Sequence, residues 1–304
     1  KSYRLLFLCI FLLSVVNAQW IEQNSGVTSA LYTVSAPSDL VCWIGGASGV
    51  VLRTVDGGST WTNVGGVGIS NQDVYAISAY DSNFCHITTS TASGTYIYQT
   101  TNGGITWVTQ LYQAGGFGNG IWFNDYHEGI FIGDPVGGRW TIFRTTNAGA
   151  QWDSTGLYLP SEGLAGWNNS LFVYGNKVWF GTNGSKIWYS SDFGTSWTAR
   201  QTSGEVNTFA IWFNRDYFNV GLSGGSNFIR SLNYGESWGS IGVPGTGNVS
   251  GITGYYWNWY VTRQSTSIFK ATNNVGNTWE TTYTAPVGNY NHIRVAKQGF
   301  AVYG

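Results

Sequence analysis

Thr54-Val-Asp56-Gly-Gly58-Ser-Thr60-Trp61 is a stretch that this chain repeats. It returns as Thr100-Thr-Asn102-Gly-Gly104-Ile-Thr106-Trp107, then as Thr145-Thr-Asn147-Ala-Gly149-Ala-Gln151-Trp152. Ser190-Ser-Asp192-Phe-Gly194-Thr-Ser196-Trp197 and Ser231-Leu-Asn233-Tyr-Gly235-Glu-Ser237-Trp238 come next. The last copy is Thr272-Asn-Asn274-Val-Gly276-Asn-Thr278-Trp279, whose register is open: aligned on Lys270, the polar residue is Asn273 and one residue is inserted. The tryptophans recur every 41 to 46 residues. A fixed period of this length is the mark of a repeat architecture. Each copy reads as a stapled hairpin. The Asp or Asn accepts from backbone N–H groups a few residues on, Gly supplies positive φ where the chain reverses, and Trp packs as the next strand begins. Four of the six Asp/Asn positions are Asn, which argues against a metal or catalytic role for them.

Working outward, three short strand-like runs precede each hairpin. Val74–Ala79, Phe84–Thr88 and Thr95–Tyr98 lead into a fourth strand from Trp107. Ser170–Tyr174, Lys177–Gly181 and Ser185–Tyr189 lead into one from Trp197. Four strands per repeat is the blade of a β-propeller. Composition agrees: 43 Gly, 16 Trp and only 10% charged residues in 304 fit β-structure with tight turns and a large aromatic core. They do not fit a helical, disordered or polytopic membrane chain.

Lys1 and Arg4 precede the apolar run Leu5–Val16, and Val16-Asn17-Ala18 places small residues before Gln19. Residues 1–18 therefore read as a secretory signal peptide and residues 19–304 as one propeller domain. Without residues 1–18 the balance is 12 basic against 15 acidic residues. No basic patch appears, so neither nucleic acid nor an anionic membrane is the expected partner. Cys42 and Cys85 read as inward strand residues, unpaired although export permits a disulfide.

The repeated motif resembles the Asp box, or BNR repeat, of the sialidase-like superfamily, over essentially all of residues 19–304. Cys42-Trp-Ile-Gly-Gly46 and Leu52-Arg53-Thr54 look most like the photosystem II assembly-factor type of seven-bladed propeller. Gly129-Ile-Phe-Ile-Gly-Asp-Pro135 and Lys177-Val-Trp-Phe-Gly-Thr-Asn183 are similar to secreted relatives that carry a C-terminal sorting domain. The expected fold is all-β, a seven-bladed propeller of four-stranded blades. Trp20–Asn24 is expected as a fourth strand beside Asn291–Ala296 and Gly299–Tyr303 as first and second. The last blade is thus closed by both termini and lacks its third strand, which implies a chain truncated at its C-terminus.

The resemblance puts the Asp boxes on one face and the candidate site on the other, among the strand two–three and inter-blade loops. Candidate ligand-binding residues there are Asp134, Arg139, Glu162, Trp167, Glu205 and Arg263. Leu157–Trp167 is the longest loop, and long loops on rigid scaffolds favour function. The expected function is a secreted, non-catalytic, monomeric scaffold binding a protein or a glycan, with no cofactor and no metal. The alternative is a glycoside hydrolase, sialidase- or xyloglucanase-like. It would need converging arginines and paired acids, but Arg53, Arg144 and Arg230 share one repeat position on an outer strand. Asp125-Tyr126-His127-Glu128 reads as a solvated turn rather than a metal cluster. Trp122, Trp212, Tyr255, Tyr256, Trp257 and Trp259 are either stacking surface or blade-to-blade packing.

Overall fold

The computed structural model describes residues 20–304 apart from 67, 70, 215–218, 257, 274, 297–301 and 304. The expected signal peptide, Trp257 and Asn274 lie outside the described residues. The described chain is all-β, and its antiparallel sheets stand around a central axis. Blade one comprises Leu31–Ser35, Cys42–Gly46, Val51–Thr54 and Thr62–Asn63, and blade two Val74–Ala79, Cys85–Thr91, Gly94–Thr100 and Val108–Ala114. Blade three has Gly118–Phe123, Gly129–Val136 and Arg139–Thr145. Blade four has Gly166–Tyr174, Lys177–Thr182, Lys186–Ser190 and Thr198–Gln201. Blade five has Ala210–Phe213, Gly221–Gly224, Phe228–Ser231 and Gly239–Ile241, and blade six Val249–Tyr255, Asn258–Arg263, Ser267–Ala271 and Trp279–Thr284. Each sheet runs in chain order, so every strand pairs with its sequence neighbour.

Blade three departs from the pattern. Its fourth position holds residues 152–160, joined by the isolated bridges Arg144↔Asp153 and Arg139↔Pro160. Pro160 has no N–H for a ladder. Leu157 and Leu159 are buried between blades three and four, so the start of the supposed long loop is a blade edge.

Among the described residues the blades number six, which corrects the expected seven. Residues 20–30 form no strand, and the C-terminal strands Arg294–Val295 and Val302–Tyr303 make a separate two-stranded sheet. The reason lies in how the N-terminal segment uses its polar groups. Gln23 donates to the Gly57 carbonyl and accepts from the Trp61 indole, while Trp20 packs on Tyr260 and Tyr283 of blade six. It is a side-chain tether across the gap between blades six and one.

The core lies between blades rather than within one. Trp179, Phe213, Trp238 and Trp259 knit blades four, five and six, and Trp43, Val74, Ile87 and Trp107 join blades one and two. Cys42 and Cys85 are buried and unpaired, each Sγ facing a backbone carbonyl. No helix among the described residues is long and apolar enough to cross a membrane.

The hairpin motif works as read. In the first five copies the Asp or Asn Oδ1 accepts from the N–H four residues on, at 2.8–3.0 Å. The hydroxyl two residues before it accepts from the N–H of the motif's recurring Gly at 2.8–2.9 Å. In the sixth copy Asn273 takes this place, accepting from Asn277 N–H and donating to Thr278 Oγ1. That is the register aligned on Lys270, and Ala271 there supplies no hydroxyl.

Candidate functional site

The residue after the Asp or Asn donates its N–H to a strand one–two turn of its own blade: Gly57 to Leu40, Gly103 to Asn83, Ala148 to His127. Hairpin motifs and one–two turns therefore share one face. The opposite face carries the two–three loops and the inter-blade loops, and the axial bore opens there as a cavity of about 460 Å³. A second cavity of about 290 Å³ lies below it, lined by the later halves of the first strands.

One residue separates them. Asn169 lines both cavities, at a bulge in the first strand of blade four between Gly166 and Leu171. Its φ of +62° turns the side chain across the bore. There Oδ1 accepts from Thr33 Oγ1 at 2.8 Å and Nδ2 donates to Tyr32 carbonyl at 3.0 Å, both in blade one. This strut makes the upper cavity a blind funnel.

Two aromatic surfaces line the mouth. Trp167 lies against Phe209 with ring centroids 4.3 Å apart. Phe117 and Tyr32 both contact Tyr75, at 4.6 and 5.5 Å. Carboxamides occupy much of the rest, and several are held at one end. Asn183 Oδ1 accepts from Ala165 N–H, Asn291 Nδ2 donates to Leu31 carbonyl, and Gln264 Oε1 accepts from Asn248. Asp134 is the acidic residue of the lining. Its Oδ1 accepts from Asn119 Nδ2 and Gly166 N–H, both at 2.8 Å.

Of the six residues expected here, Asp134 and Trp167 line the funnel. The other four lie outside that lining, with their polar groups engaged elsewhere. Glu205 is 1% exposed, and its carboxylate accepts from Asn207 and Asn227 N–H at 3.0 and 2.6 Å. Arg263 is buried and donates to the carbonyls of Gly247, Val243 and Ser226. Glu162 pairs with Lys186 at 2.5 Å, and Arg139 reaches Ser154. The sequence reading missed Tyr32, Asn119, Asn168, Asn169 and Asn291 as binding candidates; nothing in a short polar residue beside a strand start signals that it faces an axis.

On the other face, Asp125 Oδ1 accepts from the His127 and Glu128 N–H groups, which hold its carboxyl below the usual range. That is a turn. No group of three His, Cys, Asp or Glu fit for a metal occurs among the described residues. Trp122 and Trp212 line the lower cavity, and Trp212 also packs on the buried Trp259.

Arg53, Arg144 and Arg230 have a role that the repeat position hinted at but did not specify. Arg53 Nη1 donates to Gly103 carbonyl, Arg144 to Phe193 carbonyl and Arg230 to Val275 carbonyl, each in the hairpin motif of the next blade. Gln99 does the same for Ala148 at 2.6 Å.

The chain is thus a β-propeller with a blind, aromatic and carboxamide-lined funnel. Neither a family model nor a curated protein matches it. Solved structures do. One, described as YCF48 bound to D1 peptide, aligns over 90% of this chain and 88% of its own, with TM-score 0.70 and 17% identity. YCF48 from Cyanidioschyzon merolae covers 88% of this chain and 89% of its own, with TM-score 0.64 and 15% identity. The GH74 enzyme of Niastella koreensis covers 88% of this chain but 53% of its own, with TM-score 0.53 and 13% identity. These likenesses establish the fold.

Proposed function

We propose that the protein is a non-catalytic Asp-box scaffold that binds a protein or glycan at the funnel mouth. The lining carries the reading: flat aromatic rings and half-anchored carboxamides, with a carboxylate already engaged by two donors. Such a surface can hold a ligand by stacking and neutral hydrogen bonds. It does not assemble paired acids, since Glu162 and Glu205 have partners elsewhere. That a neighbour of this fold is described as bound to a peptide is consistent with the same use of a propeller. We further propose that residues 1–18 direct export and that the protein acts as a monomer.

Immobilised protein is to be screened against a peptide library and a glycan array, with Trp167→Ala alongside. Capture by wild type and loss in the variant support the reading. Turnover of a glycoside that Glu162→Gln abolishes would replace it with hydrolysis. Export predicts an N-terminus at Gln19 in the secreted product, read by N-terminal sequencing.

A further inference from the structure

With the mouth as the binding site, the reading on which this inference rests, the funnel has a polarity that selects among ligands. Its carboxamides Asn183, Gln264 and Asn291 are fixed at one end and open at the other. Asn183 Nδ2 and Gln264 Nε2 have no acceptor among the described residues, Asn291 Oδ1 has no donor, and the Asn168 amide has neither. Asp134 keeps its second oxygen open. Open donors and open acceptors therefore face one small space, those of Asn183, Gln264 and Asn291 already oriented by the bonds at their other ends. Preorganised groups lose less freedom when a ligand arrives.

Charge and shape narrow the class. Among the described residues no Lys, Arg or His lines the mouth, and Asp134 is acidic. Sulfated, phosphorylated or carboxylated ligands therefore meet no cation and one repelling group. The aliphatic lining is Ala165 and Val249, too little to form a recess for a Leu or Ile anchor of a peptide. Flat rings stand on two sides, Trp167 with Phe209 and Phe117 with Tyr32. A hydroxyl both donates and accepts, so a polyhydroxylated ring can meet open valences of both signs while its C–H face lies on an aromatic. The Asn169 strut closes the bore below, so a chain cannot thread through.

We infer that the funnel binds the end of a neutral glycan chain, inserted end-on, with Trp167 as stacking platform and Asn183, Gln264, Asn291 and Asn168 as hydroxyl readers. The probe is an array of neutral oligosaccharides with sialylated and sulfated counterparts, followed by calorimetry on the strongest neutral binder. A heptapeptide library is screened in parallel. The expected result is binding of neutral oligosaccharides, roughly tenfold weaker in Trp167→Ala and in Asn183→Ala, with partial recovery in Trp167→Phe. Acidic counterparts are expected to bind more weakly. Near-native circular dichroism in each variant keeps loss of binding distinct from loss of fold. Peptide capture that Trp167→Ala removes, with no glycan bound, overturns the glycan inference and leaves the binding function standing. No capture of either kind, or capture indifferent to both Trp167→Ala and Asn183→Ala, overturns both.

Discussion

The residue after the Asp or Asn in the hairpin motif sits in the left-handed region in the first five copies, at Gly57, Gly103, Ala148, Phe193 and Tyr234, with φ between 55° and 73°. An L side chain there costs ~1–2 kcal/mol, and glycine relieves it at ~0.5–1 kcal/mol of backbone entropy. Phe193 offsets the strain by burial between blades. Tyr234 is 55% exposed and has no such return. Tyr234→Gly is therefore expected to stabilise the protein by up to ~1 kcal/mol in urea titration. Gly235→Ala should do the reverse by ~2–3 kcal/mol, because φ is +79° and the new Cβ would lie 3.0 Å from the Phe213 ring. Asp and Asn also exchange at the neighbouring position for a reason visible in the bonds. Thr60 Oγ1 donates to Asp56 Oδ2, whereas Asn102 Nδ2 donates to Thr106 Oγ1, so the hydroxyl reverses its role. Bonds from Thr60 and Thr54 hold the Asp56 carboxyl at about 2. A carboxyl lowered in the fold stabilises above its unfolded value of about 3.9, and that contribution is lost as pH falls toward 2. Asp56→Asn is therefore expected to lower the melting temperature at pH 7 and to converge with wild type as pH falls toward 2, since this part of the acid dependence is removed.

At the level of blades, the hairpin turn is gripped from two sides. Its N–H goes to the one–two turn of its own blade, and in four junctions a carbonyl of the turn takes a side-chain donor from the blade before. Arg53 makes the fullest of these contacts, donating to Ser82 and Gly103 carbonyls with its guanidinium over the Trp43 ring. Arg53→Met retains the stem and removes the donors. The expected loss is ~1–3 kcal/mol, with faster amide exchange confined to 81–84 and 102–106. An unchanged exchange pattern would remove the inter-blade role. The hairpins, the strand order and the repeat position of the arginines are legible in the spacing, because each repeat imposes the same local bonds. The partners of Arg53 are not, because they belong to the neighbouring blade. For the same reason Glu205 and Arg263 read as site candidates: a loop charge that caps backbone groups looks, in sequence, like one that faces a ligand. Asn169 is less legible still, since a positive φ in a strand leaves no pattern of its own.

A ring of blades is only as secure as its closure, and here closure rests on few groups. Across the gap between blades six and one, Asn291 donates to Leu31 carbonyl, Val34 N–H donates to His292 Nδ1, and Val295 N–H donates to Thr253 Oγ1. Glu22 accepts from Tyr283 and Gln23 bridges to blade one. His292 is the vulnerable member. It is buried, and burial first, then the nearby Arg294 charge, pushes its pKa well below the ordinary value. Its Nδ1 must stay unprotonated to accept from Val34. His86, stacked 3.9 Å from Phe123 at the junction of blades two and three, is likewise lowered by burial to about 3. For a histidine lowered in the fold, the unfolded chain takes up the proton first. Stability is full above the unfolded value of about 6.5 and declines as pH falls below it. Each such group contributes a slope of up to ~1.4 kcal/mol per pH unit. Urea midpoints should therefore drop steadily from pH 6.5 to pH 4. In His292→Asn the amide oxygen can still accept from Val34 N–H but does not titrate in this range, so the variant should lose about half of that slope. Hydrogen exchange at pH 5 should then place the earliest opening of the wild type at 31–35 and 291–295, and a uniform opening around the ring would remove the seam as the weak point.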